Sequence, residues 1–255
     1  MIEQSRYKLE CIMRNYRSTV VAIEDLPSDT ISRMVRLYLA NYEGTSEALF
    51  RRDLAEKNDV ILLHSGTEMV GFTTLLDYPA DHSGIPIRVV YSGDTIVERM
   101  HWGQQELAFA WIRRTAEIKA RAPDTPLYWF LLTKGHRTFR YLSVFGKTTY
   151  PHWDTERPDL KRLADQLASA RFGRDYNPES GVVEFSTSRG HLAPCIAEPS
   201  EEDLAKEATR FFLRKNPGYR QGHELVCLFE LESANMRPLA ARLFDRILQS
   251  ACPDK

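Results

Sequence analysis

The sequence lacks the features that mark several special classes of protein. Its four cysteines, Cys11, Cys195, Cys227 and Cys252, are far apart and have no histidine at metal-ligand spacing. We therefore expect neither a zinc site nor a disulfide framework. No run approaches the roughly 18 to 20 apolar residues of a membrane span, and the first residues lack the apolar stretch of a signal peptide. We expect a cytoplasmic protein with no metal and no membrane contact.

A strong charge imbalance is also missing. The formal net charge is −1 and the isoelectric point is near 6.7, so the overall charge gives no reason to expect nucleic-acid binding. The chain contains no Gly-x-Ser-x-Gly elbow, no Gly-x-x-x-x-Gly-Lys phosphate loop and no His-Glu-x-x-His metal helix. These absences argue against the enzyme classes that such motifs identify.

The chain has ample material for a hydrophobic core. It has 255 residues, of which 43% are hydrophobic and 27% are charged, as in ordinary globular proteins. No internal repeat, low-complexity segment or clear linker divides it. We expect a single domain over residues 1–255, in which residues 151–255 form a C-terminal extension that includes the closing strands.

Apolar periodicity and turn residues predict an α/β order of elements. Strands are predicted at residues 18–23, 60–64, 69–76, 87–96, 127–132, 182–185 and 225–231. Helices are predicted at residues 28–39, 47–55, 104–120, 136–146, 160–170, 201–214 and 233–248. A loop is predicted over residues 77–86, because Pro79, Gly84 and Pro86 interrupt the pattern there.

Residues 87–147 are the most informative stretch, with the predicted order strand, charged turn, helix, strand, turn, helix. A strand that passes through a tight turn into a helix leaves unpaired N–H groups and the positive end of the helix dipole facing one point. Such a point suits an anion, for example a pyrophosphate. The turn at residues 97–103 is therefore a candidate cofactor site.

This order of elements resembles the GCN5-related N-acetyltransferase (GNAT) fold. That fold is α/β (α+β), with a mixed, mostly antiparallel central sheet flanked by helices. The resemblance covers about residues 18–150 and takes the late strands as the closing hairpin. It implies that acetyl-CoA or another acyl-CoA enters a gap between two central parallel strands and acylates a small-molecule amine.

Positions in the family's cofactor site can be carried over. The turn at residues 99–105 resembles the pyrophosphate-binding loop, although Met100, Trp102 and Gln105 stand where the family prefers other residues. Tyr141 matches a tyrosine that the following helix of the family often carries. The resemblance implies these cofactor-binding residues: Ile96, Val97, Met100, His101, Trp102, Gly103, Gln104, Gln105 and Lys134.

Candidate catalytic groups flank the same turn. Amide formation from a thioester needs a base for an ammonium nucleophile and an acid for the leaving thiolate. Asp94 and Glu98 precede the turn at residues 99–105, and either can act as base directly or through water. Tyr141 is the candidate acid, because a phenol with a pKa near ~10 is close to a thiol in acidity. His101 and His136 lie in strand-to-helix turns and are further candidates for a base or a phosphate contact.

The acceptor and the donor each leave alternatives open. Tyr38 and Tyr42 occupy positions where the family often builds its acceptor site. Lys134, Arg137 and Arg140 form a basic cluster that fits either a cofactor phosphate or an acidic acyl carrier protein. An acyl-carrier-protein thioester is therefore an alternative donor.

Two further alternatives concern activity and assembly. The divergent turn is compatible with a catalytically inactive GNAT-like protein that binds thioesters or has a regulatory role. The segment at residues 211–220 combines aromatic and basic side chains, which suits either a lid over the acyl pocket or a homodimer surface.

Overall fold

The computed structural model describes residues 15–251 and is organised around one large sheet. Its strands are β1 (Tyr16–Ala22), β2 (Tyr42–Glu43), β3 (Asp59–Ser65), β4 (Glu68–His82), β5 (Ile85–Val97), β6 (Leu127–Thr133), β7 (Tyr176–Asn177), β8 (Val182–Val183), β9 (His191–Leu192) and β10 (Glu224–Glu230). Eight of them form the sheet in the order β1, β3, β4, β5, β6, β10, β8, β7. The other two, β2 and β9, pair with each other.

Helices flank this sheet. Those in the described part of the chain are α1 (Ser28–Asn41), α2 (Glu47–Leu54), α3 (Glu106–Ala120), α4 (His136–Phe145), α5 (Pro158–Phe172), α6 (Pro194–Ala197), α7 (Glu201–Leu204), α8 (Glu207–Lys215) and α9 (Pro238–Ala251). The side chain of Ser46 caps α2 by accepting a hydrogen bond from the backbone N–H of Leu49.

One pair of neighbouring strands is parallel. β5 and β6 run parallel from Arg88 and Leu127 to Ser92 and Leu131, with α3 as the crossover between them. The remaining pairs of the sheet are antiparallel. A mixed, mostly antiparallel sheet flanked by helices confirms the GNAT-like fold class predicted from the order of elements. The late strand β10 lies beside β6, so the C-terminal extension contributes to this same sheet.

The core lies on both faces of the sheet, because successive side chains of a strand point to opposite faces. In β6, Trp129 and Leu131 join the cluster that includes α3, α4, α8 and α9. Phe130, between them, joins the cluster around α5. A third cluster joins α1 and α2 to β3 and β4. Phe244 of α9 is only 1% exposed, so the last helix belongs to the core.

The predicted loop at residues 77–86 is wrong. β4 runs to His82 and β5 begins at Ile85, and the two turn residues Ser83 and Gly84 have φ angles of 55° and 81°. Positive φ at both positions suits a two-residue hairpin turn. Pro79 is tolerated because β4 no longer pairs with β3 beyond Leu75, and Pro86 is tolerated because β5 pairs with β6 only from Arg88 onward; proline fits an unpaired strand edge.

Two other predicted elements differ in extent. The helix predicted at residues 201–214 is two helices, α7 and α8, and the strand predicted at residues 182–185 ends at Val183. Cys11 and Cys252 lie outside the described residues. Between residues 15 and 251, no helix is long and apolar enough to cross a membrane.

Candidate active site

A cleft opens where β5 and β6 separate. Their pairing ends at Ser92 and Leu131, after which β5 continues beside β4 and β6 continues beside β10. The strands therefore diverge, and a cleft of about 550 Å³ lies between them. Its walls come from α1, α2, α4 and the C-terminal extension. This is the gap between central parallel strands that the fold resemblance predicts.

A β-bulge in β5 places Asp94 at this cleft. The register between β4 and β5 shifts so that Gly93 and Asp94 together stand opposite Thr74. A Cβ atom on Gly93 would lie 2.4 Å from Thr74 Oγ1 and 2.7 Å from Lys57 Cε, so the position requires glycine. The bulge changes the direction of the following side chain, and Asp94 lines the cleft.

Lys134 forms the second charged element of the cleft. It follows β6 directly, and the antiparallel register brings it beside Glu224, the first residue of β10. Its Nζ lies 3.1 Å from Glu224 Oε1 and 5.2 Å from the ring centre of Tyr42. Burial opposes the charged form, but Glu224 and Asp94 raise the pKa of Lys134, so the ammonium persists at neutral pH.

Asp94 is a carboxyl group with an unusually high affinity for a proton. Burial raises its pKa to about 6; Asp53 of α2 contributes to this rise, whereas Lys134 and Lys57 oppose it. Lys57 itself donates to Asp53 Oδ2 at 2.6 Å. A carboxylate with a pKa close to neutral can accept a proton efficiently during catalysis.

Two stacked tyrosines line the predicted acceptor end of the cleft. The rings of Tyr38 and Tyr42 are 4.8 Å apart, and the Tyr38 hydroxyl lies 2.7 Å from Thr45 Oγ1. Burial raises the pKa of both phenols, and the carboxylate of Asp94 raises it further. Both side chains are therefore neutral hydrogen-bonding groups at physiological pH.

Tyr141 lies on α4 at the edge of the cleft, beside a smaller recess. Its side chain is 43% exposed and its ring stacks on Phe145, with centroids 6.0 Å apart. Partial burial raises the pKa of Tyr141, so the phenol keeps its proton through the neutral range. The recess holds about 60 Å³, and its mostly apolar lining includes Trp111, Trp129 and Tyr141.

The predicted cofactor turn is partly filled by its own side chains. The indole N–H of Trp102 donates to the carbonyl oxygen of Val97 at 2.8 Å, and the guanidinium of Arg137 lies 4.9 Å from the indole ring. The side-chain oxygen of Gln104 accepts from the backbone N–H of Leu107 at 3.0 Å. One backbone N–H at the start of α3 is therefore already hydrogen-bonded.

The predicted cofactor residues divide into two groups. Those that line the cleft are Ile96, Val97, Trp102, Gly103, Gln104 and Lys134. Met100, His101 and Gln105 do not line it. Met100 is 63% exposed, and Nδ1 of His101 lies 3.1 Å from the hydroxyl oxygen of Tyr16.

The catalytic candidates divide in the same way. Asp94 and Tyr141 line the cleft, whereas Glu98 does not. The carboxylate of Glu98 accepts a hydrogen bond from Arg33 of α1, and its other oxygen lies 3.8 Å from His101 Nε2. The structure therefore brings together two of the three candidates.

The basic cluster lines the cleft but has partners within the protein. In addition to the ion pair of Lys134, Arg137 donates to the carbonyl oxygen of Ile196 at 2.6 Å, and Arg140 donates to Asp203 Oδ1 at 3.0 Å. His136, at the start of α4, is 1% exposed, and its Nε2 lies 3.4 Å from Asp203 Oδ2. Burial lowers the pKa of His136, which keeps the ring neutral.

Several charged and aromatic residues near Asp94 were not predicted as site residues. They are Asp53, Lys57, Tyr91 and Glu224. The sequence offers one signal for Glu224, which is a charged residue at the start of an apolar strand. In the described part of the chain, no group of three or more metal-ligating side chains is close enough to hold a metal ion.

Comparison with models of known protein families and with curated proteins finds no match. Solved structures with a similar fold include a probable N-acyltransferase of unknown function from Enterococcus faecalis V583. The two share 11% identity and a TM-score of 0.40 over 53% of this chain and 33% of that protein. A GCN5-related N-acetyltransferase from Kribbella flavida matches with 15% identity and a TM-score of 0.38 over 54% of this chain and 35% of its own.

A third structure is a GNAT family N-acetyltransferase (YhbS) from Escherichia coli in complex with CoA. It matches with 14% identity and a TM-score of 0.37, over 51% of this chain and 69% of its own. The matched region spans only about a third of the length of the first two proteins. At these identities the likeness concerns the fold alone and assigns no role to any residue.

Proposed function

We propose that the protein transfers a short acyl group from a coenzyme A thioester to a primary amine. The observation that carries this proposal is the position of Asp94 at a bulge in β5, inside the cleft between two diverging parallel strands. Tyr141 lies on the wall of the same cleft. A base and an acid thus face the space in which a thioester and an amine can meet.

In the proposed reaction, Asp94 accepts one proton and Tyr141 donates one proton. The bound ammonium first loses one proton to solvent, and Asp94 then takes a second proton from the nitrogen, directly or through water, as the nitrogen attacks the thioester carbonyl carbon. A C–N bond forms and the C–S bond breaks. Tyr141 gives its phenolic proton to the departing thiolate, and solvent then returns the proton from Asp94 to Tyr141. The products are an amide and a free thiol.

The recess beside Tyr141 supports a short acyl group. It shares Ser92, Thr138 and Tyr141 with the main cleft, so the two spaces adjoin each other. Its largely apolar lining suits hydrocarbon, and its volume of about 60 Å³ suits a chain of a few carbon atoms. We therefore expect acetyl-CoA to be a better donor than octanoyl-CoA.

The experiment is an acyl-transfer assay with acetyl-CoA and a panel of primary amines, monitored by thiol release and by mass spectrometry of the amide. Replacement of Tyr141 by Phe should lower kcat by roughly 100-fold or more. The melting temperature should change little, because the ring and its stacking on Phe145 are kept. Tyr78→Phe is the matched control, since Tyr78 does not line the cleft. Full activity of Tyr141→Phe would remove Tyr141 from the mechanism.

One set of contacts favours a second function, binding without catalysis. The indole N–H of Trp102 donates to the carbonyl oxygen of Val97, and the side-chain oxygen of Gln104 accepts from a backbone N–H at the start of α3. The Gln104 contact reduces the number of backbone N–H groups available to a phosphate, and the Trp102 contact occupies a backbone acceptor in the same turn. Native mass spectrometry that finds a retained thioester, unchanged after long incubation with the amine panel, would favour this function.

A further inference from the structure

A strap from the C-terminal extension crosses the acceptor end of the cleft. β9 pairs antiparallel with β2, with Leu192 opposite Tyr42, and the backbone N–H of Ala193 donates to the carbonyl oxygen of Asn41 at 3.0 Å. Leu192 and Ile196 line the cleft. The strap is therefore hydrogen-bonded to the segment that follows α1 and forms a wall of the cleft.

The strap is closely packed against its surroundings. A Cβ atom on Gly135 would lie 2.8 Å from Leu192 Cδ1. Gly190 has a φ of +87°, and a Cβ atom there would lie 2.7 Å from Thr45 Cβ. Because no space remains between the strap and either neighbour, the surface of a folded protein cannot reach the cleft from this side.

The inner part of the cleft carries an excess of negative charge. Three carboxyl groups, those of Asp53, Asp94 and Glu224, influence one another there, together with the ammonium groups of Lys57 and Lys134. Each lysine is within 3.1 Å of a carboxylate oxygen of Asp53 or Glu224. Asp94 therefore remains available for an additional cation, which a protonated amine supplies.

The outer part of the cleft carries an excess of positive charge. The carboxylate of Glu56 lines the cleft there and is paired with Arg171 at 3.0 Å. Arg52 and Arg189 also lie there, and within residues 15–251 neither has a carboxylate partner in an ion pair. Two guanidinium groups thus remain available for an anion, and arginine is well suited to bind a carboxylate with two hydrogen bonds.

An aromatic wall connects the two charged regions. The guanidinium of Arg171 lies 4.3 Å from the ring centre of Tyr91, and Lys57 Nζ lies 5.5 Å from the same ring centre. Further outward, Phe172 and Phe185 make an edge-to-face contact at 6.0 Å, and the guanidinium of Arg189 is 4.3 Å from the Phe185 ring centre. An apolar or aromatic body fits between the inner and outer charges.

We infer that the acceptor is a small amino acid with an apolar or aromatic body, whose amine faces Asp94 and whose carboxylate faces Arg52 and Arg189. This inference rests on the proposed acyl transfer, because the amine is placed at the proposed base. The strap closes one side of the cleft to a folded partner, the inner charges select an amine, and the outer arginines select an acid. An amine without a carboxylate leaves both guanidinium groups without a partner.

The test compares acceptors that differ only by a carboxylate. The first pair is L-phenylalanine and 2-phenylethylamine, in which the carboxylate adjoins the amine. The second pair is 4-(aminomethyl)benzoate and benzylamine, in which a ring separates the two groups. In at least one pair, the acid should be acetylated with a kcat/KM at least about ten-fold higher. Equal or faster acetylation of the carboxylate-free amine in both pairs would overturn the inference.

Variants of the two arginines test whether Arg52 and Arg189 cause the preference for an acceptor with a carboxylate. The double replacement Arg52→Gln and Arg189→Gln should reduce the preference for the acid to less than about three-fold. Arg242→Gln, on the exposed surface of α9, is the matched control and should keep the full preference. A preference that survives the double replacement would also overturn the inference.

A binding measurement separates this inference from the proposed reaction. Isothermal titration calorimetry with the same four compounds requires no turnover. Tighter binding of the acid in one pair, lost in the double variant, with no acetylation of any compound, would reject the proposed reaction and retain the acceptor site. Equal binding within both pairs, or no binding at all, would overturn the acceptor site whatever the result of the transfer assay.

Discussion

Lys134 and Glu224 form an ion pair with a separation of 3.1 Å at the junction of β6 and β10. The pair influences Asp94 in opposite directions, because Lys134 lowers the pKa of Asp94 and Glu224 raises it. Two strands that are far apart in the sequence therefore both contribute to the protonation of the proposed base, in addition to burial and Asp53. The pH dependence of the reaction is therefore the property that tests the effect of these charges on Asp94.

Acyl transfer should fall as the pH is lowered through about 6. Burial raises the pKa of Asp94 to about 6, so below this pH the carboxyl group is protonated and cannot accept a proton. A profile of kcat/KM against pH, recorded with an arylamine acceptor that stays neutral over this range, isolates the protein's own titration. Asp94→Asn should remove most of the activity together with this limb. An acid limb that persists in the variant would assign the titration to another group.

The same carboxyl group should also reduce the stability of the folded protein. The pKa of Asp94 is about 6 in the folded protein, compared with an ordinary value of 3.8. Its ionised form is thus disfavoured by folding, and stability should rise as the pH falls from 6 towards 4. Asp94→Asn should raise the free energy of unfolding at pH 8 by about 1 kcal/mol or more. Urea denaturation that shows no gain at pH 8 would contradict the unusual environment of Asp94.

Removing the ammonium of Lys134 should move the acid limb to higher pH. Lys134→Gln deletes a charge that lowers the pKa of Asp94 and leaves Glu224, which raises it. The midpoint of the acid limb should rise above that of the wild-type protein. Lys215→Gln, at the exposed end of α8, is the control and should leave the midpoint unchanged. If the midpoint stays the same in Lys134→Gln, Lys134 does not affect the pKa of Asp94.

The order of elements could be predicted from the sequence because apolar periodicity and turn residues are local signals. The resemblance to the GNAT fold rests on that order and on a few local residues, and the strand pairing agrees with it. The loop at residues 77–86 was mispredicted because its prolines suggest a break, whereas β4 has no neighbour on that side beyond Leu75. The pairing of distant strands decides whether a proline is tolerated. A local sequence pattern gives no information about that pairing.

The cleft could be predicted only in part. Asp94 and Tyr141 lie on elements that the resemblance locates, and both line the cleft. Glu98 is four residues from Asp94 but pairs with Arg33, because the chain turns away after β5. Glu224 reaches the cleft through the register of β10 on β6. Such long-range register is a tertiary property that composition and spacing do not specify.

An ion pair between α3 and β3 should contribute strongly to stability. Arg114 Nη2 lies 2.5 Å from Asp59 Oδ2, and their side chains are only 14% and 13% exposed. Asp59→Asn leaves the guanidinium without its main partner in a poorly hydrated site and should cost about 2 to 3 kcal/mol. Glu47→Gln breaks the exposed pair with Arg51 and should cost less than about 0.5 kcal/mol. Equal losses in urea denaturation would contradict the burial of the Arg114 pair.

The C-terminal extension should unfold together with the rest of the chain. Phe244 of α9 is buried in the cluster that also contains α3 and β10, so Phe244→Ala should cost about 3 to 5 kcal/mol. Leu239→Ala removes a side chain that is 52% exposed and should cost less than about 1 kcal/mol. Tryptophan fluorescence and circular dichroism should show one coincident transition. A separate early transition in Phe244→Ala would show that the chain contains two units that unfold independently.

Direct binding of acetyl-CoA, measured by isothermal titration calorimetry, tests the acyltransferase proposal most directly. The wild-type protein should bind one equivalent with a dissociation constant between about 1 µM and 1 mM. Thr138 lines both the cleft and the recess, so Thr138→Phe should weaken binding at least about ten-fold without lowering the melting temperature. No heat of binding at saturating acetyl-CoA, or equal affinity in both proteins, would contradict a thioester site in this cleft.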